Sequence, residues 1–117
     1  MLAIAEVSPV PATISVLVKN SASKSLVLAE FAVRALEILV KAVHPAFFHE
    51  QHQEEQCLLI VHCLCEVMQQ GQMKKVKYAK PALQHIETVV GGADILKQML
   101  IKAYNFAAGH EEIKEQD

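Results

Sequence analysis

Three side chains, His62, Cys65 and Glu66, are the candidates in this sequence for metal chemistry, because imidazole, thiolate and carboxylate are all zinc ligands. Their spacing of three and four residues puts them on one face if the segment is helical. A structural zinc site needs about four convergent ligands, and Cys63 points to nearly the opposite side of such a helix from Cys65. We therefore predict no metal site and no cofactor, with these three side chains as weak metal candidates.

The chain's three cysteines lie in one apolar run, residues 57–65, with the sequence Cys-Leu-Leu-Ile-Val-His-Cys-Leu-Cys. Apolar surroundings raise the pKa of a thiol, so a thiolate nucleophile is disfavoured there. Gly91-Gly92 lacks the lysine and the preceding strand of a phosphate-binding loop. We predict that the protein is not an enzyme. Three thiols cannot all pair within one chain, and reduced thiols indicate a reducing intracellular compartment, the cytoplasm or the nucleus.

A local group of lysines, with Tyr78 inside it, could contact phosphates. Its members are spread over residues 74–80: Lys74, Lys75, Lys77 and Lys80. The group contains no arginine, and the whole chain has a formal net charge of -2 and a pI of about 6.3. A solvated helix face is therefore the favoured interpretation, and nucleic acid is an unlikely partner that stays as an alternative.

Apolar side chains are in surplus, since 52% of the residues are hydrophobic. Aromatic rings in this surplus either pack at turns or anchor a partner, because aromatics are enriched at interfaces. The predicted partner-binding residues are the aromatic and basic candidates Phe47, Phe48, Lys74, Lys75, Lys77, Tyr104 and Phe106. We predict a non-catalytic scaffold or adaptor module that binds another protein or a second copy of itself. The alternative is a small ligand- or metal-binding protein with a pocket near helix 53–70.

Apolar residues recur at helical spacing through most of the chain. We expect helices over about 10–20, 24–43, 53–70, 73–90 and 93–108, separated by Pro45, Gly71, Gly91-Gly92 and Gly109. The first of these segments also alternates like a strand between Thr13 and Val18. A helix is favoured there because the chain offers no second strand to pair with.

Charged residues in the second helix recur at spacings of four, three and four: Glu30, Arg34, Glu37 and Lys41. We expect this charged face to be in solvent and to exclude a membrane span, because charges within a lipid-spanning helix are costly. The opposite face is then predicted to enter the core. Its apolar members are Val27, Leu28, Phe31, Ala32, Ala35, Ile38, Leu39 and Ala42.

The pattern as a whole predicts a single all-α domain over residues 1–117, with four to five helices in an antiparallel bundle or a short helical stack. Residues 1–8 are expected to be a loose leader and residues 110–117 an acidic tail. The helix that carries the apolar run 57–65 is predicted to lie at the centre, because it has no good face to show to water.

Two segments repeat in outline, since Ala35-Leu36 and Ala82-Leu83 each open a stretch that ends in a hydrophobic pair and a turn, 47 residues apart. The two helical hairpins so defined, 24–70 and 73–108, resemble HEAT and armadillo-type repeats, whose periods are about 40–47 residues. The proline, aspartate and arginine positions typical of those repeats are absent here. The resemblance implies stacked hairpins and a protein-binding surface.

Overall fold

A computed structural model describes residues 11–43, 45–49 and 53–116 of the chain. Its five helices are α1 (Pro11–Ser21), α2 (Leu26–Ala42), α3 (Glu54–Gln70), α4 (Met73–Val90) and α5 (Ala93–Gln116). No strand occurs in these residues, so the all-α prediction is confirmed and the first segment is a helix. The expected leader, residues 1–8, lies outside the described residues.

Helix boundaries follow from local chemistry at the ends. Ser25 is the N-cap of α2, and its hydroxyl accepts a hydrogen bond from the Leu28 amide at 3.4 Å. Gly71 closes α3 in the left-handed conformation, with φ of 71°, and its amide bonds the Val67 carbonyl at 3.3 Å. Glycine suits this position because other residues strain at positive φ. The predicted ends of the second and third helices are thus confirmed to within a few residues.

A short 3₁₀ turn, Pro45–Phe48, connects α2 towards α3 and carries two aromatic rings. Both Phe47 and Phe48 are buried, and their rings meet edge to face with centroids 5.3 Å apart. The Cys57 thiol donates to the Phe47 carbonyl oxygen at 3.4 Å, which ties the turn to α3. These rings therefore pack inside the fold and present little surface for a partner.

The helices pack as neighbours in an order that differs from the predicted hairpins. Helix α1 packs on α2, and α3 packs on α4. Across these pairs, α2 lies mainly on α4, and α3 lies on α5. The predicted unit 24–70 joins α2 and α3, whereas the main contacts of α2 are with α4 and α1. The resemblance to HEAT and armadillo-type repeats stays a prediction.

Helix α3 lies at the centre, as the apolar run predicted. It contacts α1, α4, α5 and the 3₁₀ turn. Its buried residues surround most of the helix: Cys57, Leu58, Ile60, Val61, Cys63, Leu64 and Val67. Side chains buried in several directions need neighbours in several directions, which is why α3 is the element on which the others are assembled.

Helix α2 enters the core through a different face from the one predicted. Its buried residues are Ala29, Ala32, Val33, Leu36 and Val40. Of the predicted core face, Val27, Phe31 and Ile38 are exposed instead. The helix has more apolar positions than one face can bury, and the small side chains of Ala29 and Ala32 let neighbouring helices approach closely. The prediction of which apolar face is buried was wrong for this reason.

Helix α5 continues past the glycine at which the sequence predicted its end. It begins at Ala93 and runs to Gln116, so Gly109 is an internal helical residue and residues 110–116 are helical rather than a loose tail. An isolated glycine lowers helix stability by only about 1 kcal/mol relative to alanine, so it need not stop a helix. Asp117 lies outside the described residues.

Each of the described helices can be compared with the length and apolar character that a membrane-spanning helix needs. None of them, over the residues that the structure describes, has the combined length and apolar character that crossing a lipid bilayer requires. Helix α2 itself has 17 residues and carries four charged side chains. A span needs about 20 predominantly apolar residues.

Candidate interaction surface

Helix α2 exposes a line of four side chains, Val27, Phe31, Arg34 and Ile38, which we call the α2 stripe. The apolar members are 80%, 67% and 59% exposed in chain order, and Arg34 is exposed as well. Their spacing of four, three and four residues keeps them on one side of the helix. Covering large apolar side chains with another surface lowers the free energy, because it removes apolar area from water.

The exposed apolar surface is concentrated on α2. Among the described residues, five of the nine exposed large apolar side chains belong to this helix: Leu26, Val27, Leu28, Phe31 and Ile38. The other four, Val16, Met73, Ile95 and Ile101, are distributed over α1, α4 and α5. Scattered single residues are normal on protein surfaces, whereas a repeated line along one helix is typical of a binding face.

The charges around the α2 stripe are arranged unequally. Lys41 forms an ion pair with Glu37 one turn earlier, at 2.9 Å. Arg34 and Glu30 have the same predicted spacing and order, yet Arg34 forms no ion pair in the part of the chain that the structure describes. The Arg34 guanidinium, with its five donors, is therefore available to an outside group.

A buried polar cluster lies where α1, α3 and α4 meet. Lys75 is only 4% exposed, and its ammonium donates to the Gln70 side-chain oxygen at 2.8 Å and to the Ser21 carbonyl at 3.5 Å. The Ser21 hydroxyl donates to the Val18 carbonyl at 2.6 Å and lies 2.9 Å from the Cys63 sulfur. The cluster fixes the end of α1 against the two central helices.

Two of the three thiols are made unreactive by their surroundings. Burial, followed by the nearby Glu54 carboxylate, raises the pKa of Cys57 to about 12. Burial likewise raises the pKa of Cys63, and the Ser21 hydrogen bond and the Lys75 charge only partly offset it. All three cysteines are unpaired. A neutral buried thiol behaves as a small apolar side chain rather than a nucleophile.

A half-open pocket of about 200 Å³ adjoins the polar cluster between α1 and α3. It is lined by Val18, Ser21, Ala22, His62, Cys63, Glu66, Val67 and Gln70. Ligand pockets usually have volumes of about 300–1,000 Å³, so this one has room for a small molecule at most. The pocket lies beside α3 and has polar groups in its lining, and the predicted binding of a ligand near helix 53–70 stays a prediction.

The weak metal candidates on α3 have other partners. Tyr104 donates its hydroxyl proton to Glu66 at 2.7 Å, and its ring packs edge to face on His62 with centroids 4.7 Å apart. Gln69 donates to Tyr104 at 3.1 Å and to Cys65 at 3.8 Å. Within the described chain, no three His, Cys, Asp or Glu side chains converge as metal ligands would. Burial, then Cys65 and Glu66, raises the pKa of Tyr104.

The remaining predicted partner residues divide into exposed and internal groups. Lys74 and Lys77 are exposed, with the Lys77 ammonium 5.0 Å from the centroid of the Tyr78 ring. Lys75 is buried in the polar cluster, so its place in an exposed basic patch was wrong. Because an α-helix has 3.6 residues per turn, Lys75 projects from a different side of α4 than its basic neighbours in the chain. Phe106 is half-buried and packs against the core.

Sequence reasoning missed two features of these sites. Ser21 and Gln70 are not among the predicted site residues, yet they hold the buried Lys75 ammonium. No local pattern could have shown this, since the bond to Ser21 joins residues 54 positions apart. The α2 stripe had a signal, namely apolar residues around more of α2 than one buried face requires.

No family model, no curated protein and no solved structure matches this chain.

Proposed function

We propose that this chain is a non-catalytic helical interaction module, and that the α2 stripe is the surface through which it binds a protein partner. The observation that supports the proposal is the exposure of Val27, Phe31 and Ile38 along one side of a helix whose other side is fully buried. Grooves and helices that recognise another helix use anchors at this spacing.

The chemistry of the stripe indicates the kind of partner. Three apolar anchors require an apolar counterpart, and phenylalanine, the residue type of Phe31, is enriched at interfaces. Arg34 adds one positive charge that no carboxylate among the described residues pairs with. An amphipathic protein helix with an apolar face and an acidic or aromatic group near its centre fits these requirements.

Affinity capture from the source cells tests the proposal with three versions of the tagged chain: wild type, Ile38→Glu and Ile101→Glu. Ile38 and Ile101 are matched controls, since they are the same residue type and are 59% and 57% exposed. We expect wild type and Ile101→Glu to retain one partner at a fixed ratio, and Ile38→Glu to lose it. A buried glutamate at the stripe is costly for the complex.

The proposal fails if Ile38→Glu captures the same proteins as wild type. It also fails if all three versions return with neither another protein nor an untagged copy of the chain, at concentrations where the purified chain remains folded. Circular dichroism of each variant shows whether the fold is intact, and we expect helical signal equal to that of wild type, because both substitutions lie on exposed positions.

A second candidate function is binding of a small polar molecule in the pocket between α1 and α3. The observation in its favour is the presence of four polar side chains in the lining, Ser21 from α1 and His62, Glu66 and Gln70 from α3. Native mass spectrometry of protein purified from its source checks this candidate. A bound mass that disappears in a Gln70→Leu variant and persists in Gln69→Leu favours it, and an unliganded wild-type chain counts against it.

We also propose that the protein works in a reducing compartment. Its three cysteines are unpaired, and Cys57 and Cys63 are held as neutral thiols within the core. An oxidising compartment favours disulfides over free thiols.

A further inference from the structure

The four residues of the α2 stripe are arranged symmetrically about one point. Val27 and Ile38 are equidistant along the chain from the midpoint between Ala32 and Val33, and so are Phe31 and Arg34. In an antiparallel two-fold pair centred on this point, residue i of one copy contacts residue j of the other while j contacts i, so Val27 meets Ile38 and Phe31 meets Arg34. We propose that the partner of the α2 stripe is a second copy of this chain, with the two α2 helices packed antiparallel about this midpoint.

The antiparallel arrangement gives every stripe residue a suitable counterpart. Val27 of one copy faces Ile38 of the other, and by symmetry this apolar contact occurs twice, once at each end of the pair. Phe31 faces Arg34, and a guanidinium over an aromatic ring is a favourable cation–π contact. The half-buried Glu30 lies one position from Phe31, close enough to the incoming Arg34 to supply its opposite charge.

The spacing of the stripe also suits helix-on-helix packing. Intervals of four, three and four residues are those of the alternating a and d positions of a coiled coil. The residues that α2 buries in its own domain, such as Val33 and Val40, lie on the other side of the helix. One helix can therefore serve its own core and a second copy at once.

A parallel arrangement is disfavoured by the same residues. It would place Arg34 against Arg34, and like charges facing each other across an interface are destabilising. Lys41 lies three residues beyond Ile38 and is already paired with Glu37, so its charge adds little repulsion at the ends of the two packed helices. The stripe extends over one helix of 17 residues, so we expect a weak, concentration-dependent dimer.

Sedimentation velocity of the purified full chain, from micromolar to millimolar concentration, tests the inference. We expect a monomer–dimer equilibrium for wild type, an unchanged equilibrium for Ile101→Glu, and a monomer at all concentrations for Ile38→Glu. Arg34→Glu should weaken the dimer by roughly tenfold or more, and the double variant Glu30→Arg with Arg34→Glu should recover part of this loss, because it restores the pair of opposite charges but not the contact between guanidinium and ring.

Directed disulfides test the antiparallel register in a Cys65→Ser background. A mixture of Val27→Cys and Ile38→Cys chains should form the mixed disulfide under oxidation, while Val27→Cys alone should not form a dimer through position 27. The reverse pattern indicates a parallel pair and overturns the register.

The inference depends on the proposed function, and the two fail differently. A wild-type chain that stays monomeric at the highest concentration, or a dimer that Ile38→Glu leaves intact, overturns self-association. If such a monomer still retains another protein through Ile38, the interaction module survives and the second copy is excluded as its partner.

Discussion

Helices α2 and α3 have the same length and both contribute to the core, yet they differ in how many of their large apolar side chains are exposed to solvent. Each has 17 residues. Helix α3 buries its large apolar side chains wholly or partly against four other elements, whereas α2 leaves Val27, Phe31 and Ile38 in solvent. An apolar helix is thus not by itself a buried helix. The number of neighbours that the fold supplies decides how much of its surface is covered.

The difference separates stability from interaction within one small domain. Residues of α3 are held by contacts on several sides, so changing them should alter the free energy of unfolding. Residues of the α2 stripe have few contacts in the single chain, so changing them should alter association and leave folding nearly unaffected. Each of the following predictions compares a residue held inside the fold with a control.

The largest contrast is expected in thiol reactivity. Cys57 and Cys63 should react with a thiol reagent on the order of 1,000-fold more slowly than the half-exposed Cys65, because a buried thiol reacts only when its surroundings open. Mass spectrometry of the native chain at successive times measures the three rates. Equal rates at the three positions would contradict a closed core around α3.

The same core should lose stability at alkaline pH. The Cys57 pKa in the folded chain is about 12, above the ordinary value of 9.0, so folding favours the protonated thiol. Its contribution to stability is therefore complete below pH 9.0 and is lost progressively as the pH rises towards 12. Denaturant melts of wild type and Cys57→Ala across this range measure the effect, and a parallel pH dependence of the two proteins would contradict it.

Truncation of an internal leucine should cost more than truncation of the stripe's aromatic residue. Leu64 is fully buried on α3, so Leu64→Ala should lower the free energy of unfolding by about 2–5 kcal/mol. Phe31→Ala removes a larger side chain from α2 and should change it by less than about 0.5 kcal/mol in dilute solution. Urea denaturation measures both variants, and a larger loss for Phe31→Ala would reverse the comparison.

Removal of the buried ammonium should have an intermediate effect. Lys75→Ala leaves the Ser21 carbonyl and the Gln70 side-chain oxygen without this donor, and it should cost about 1–3 kcal/mol. Lys77→Ala, two positions along α4, should change the free energy of unfolding by less than about 0.5 kcal/mol, because Lys77 is exposed. Equal effects would mean that the polar cluster does not stabilise the junction.

The smallest contrast concerns one hydroxyl at the edge of α3. Tyr104→Phe removes the hydrogen bond to Glu66 and should lower the free energy of unfolding by about 1 kcal/mol. Tyr78→Phe is the control, since the Tyr78 hydroxyl makes no hydrogen bond to any residue that the structure describes. Thermal melts should show a lower melting temperature for Tyr104→Phe than for Tyr78→Phe. Indistinguishable melting temperatures would mean that the Tyr104 hydrogen bond does not stabilise the fold.

The sequence predicted the elements more reliably than their faces. Helical periodicity, Pro45 and Gly71 indicated where α2 and α3 begin and end, because helix breaks and periodicity are local. The choice between the two apolar faces of α2 depends on which neighbours are present, and residues distant in the chain decide that. Lys75 was misplaced for the same reason, since its partner Ser21 comes from α1.

The sequence did not locate the candidate surface. The apolar surplus predicted a partner, which stays a prediction, but the predicted anchors Phe47 and Phe48 are buried, and Phe31 was assigned to the core. Composition reports how much apolar surface a chain carries, whereas the packing of the helices determines where the uncovered part lies.

Site-specific photo-crosslinking in the source cells tests the central claim most directly, with the crosslinking residue at position 31 in one version of the chain and at position 101 in the other. We expect one discrete covalent adduct from position 31, of twice the chain mass if the partner is a second copy, and no such adduct from position 101. No adduct from position 31, or the same adducts from both positions, would contradict the claim that the α2 stripe is the binding surface.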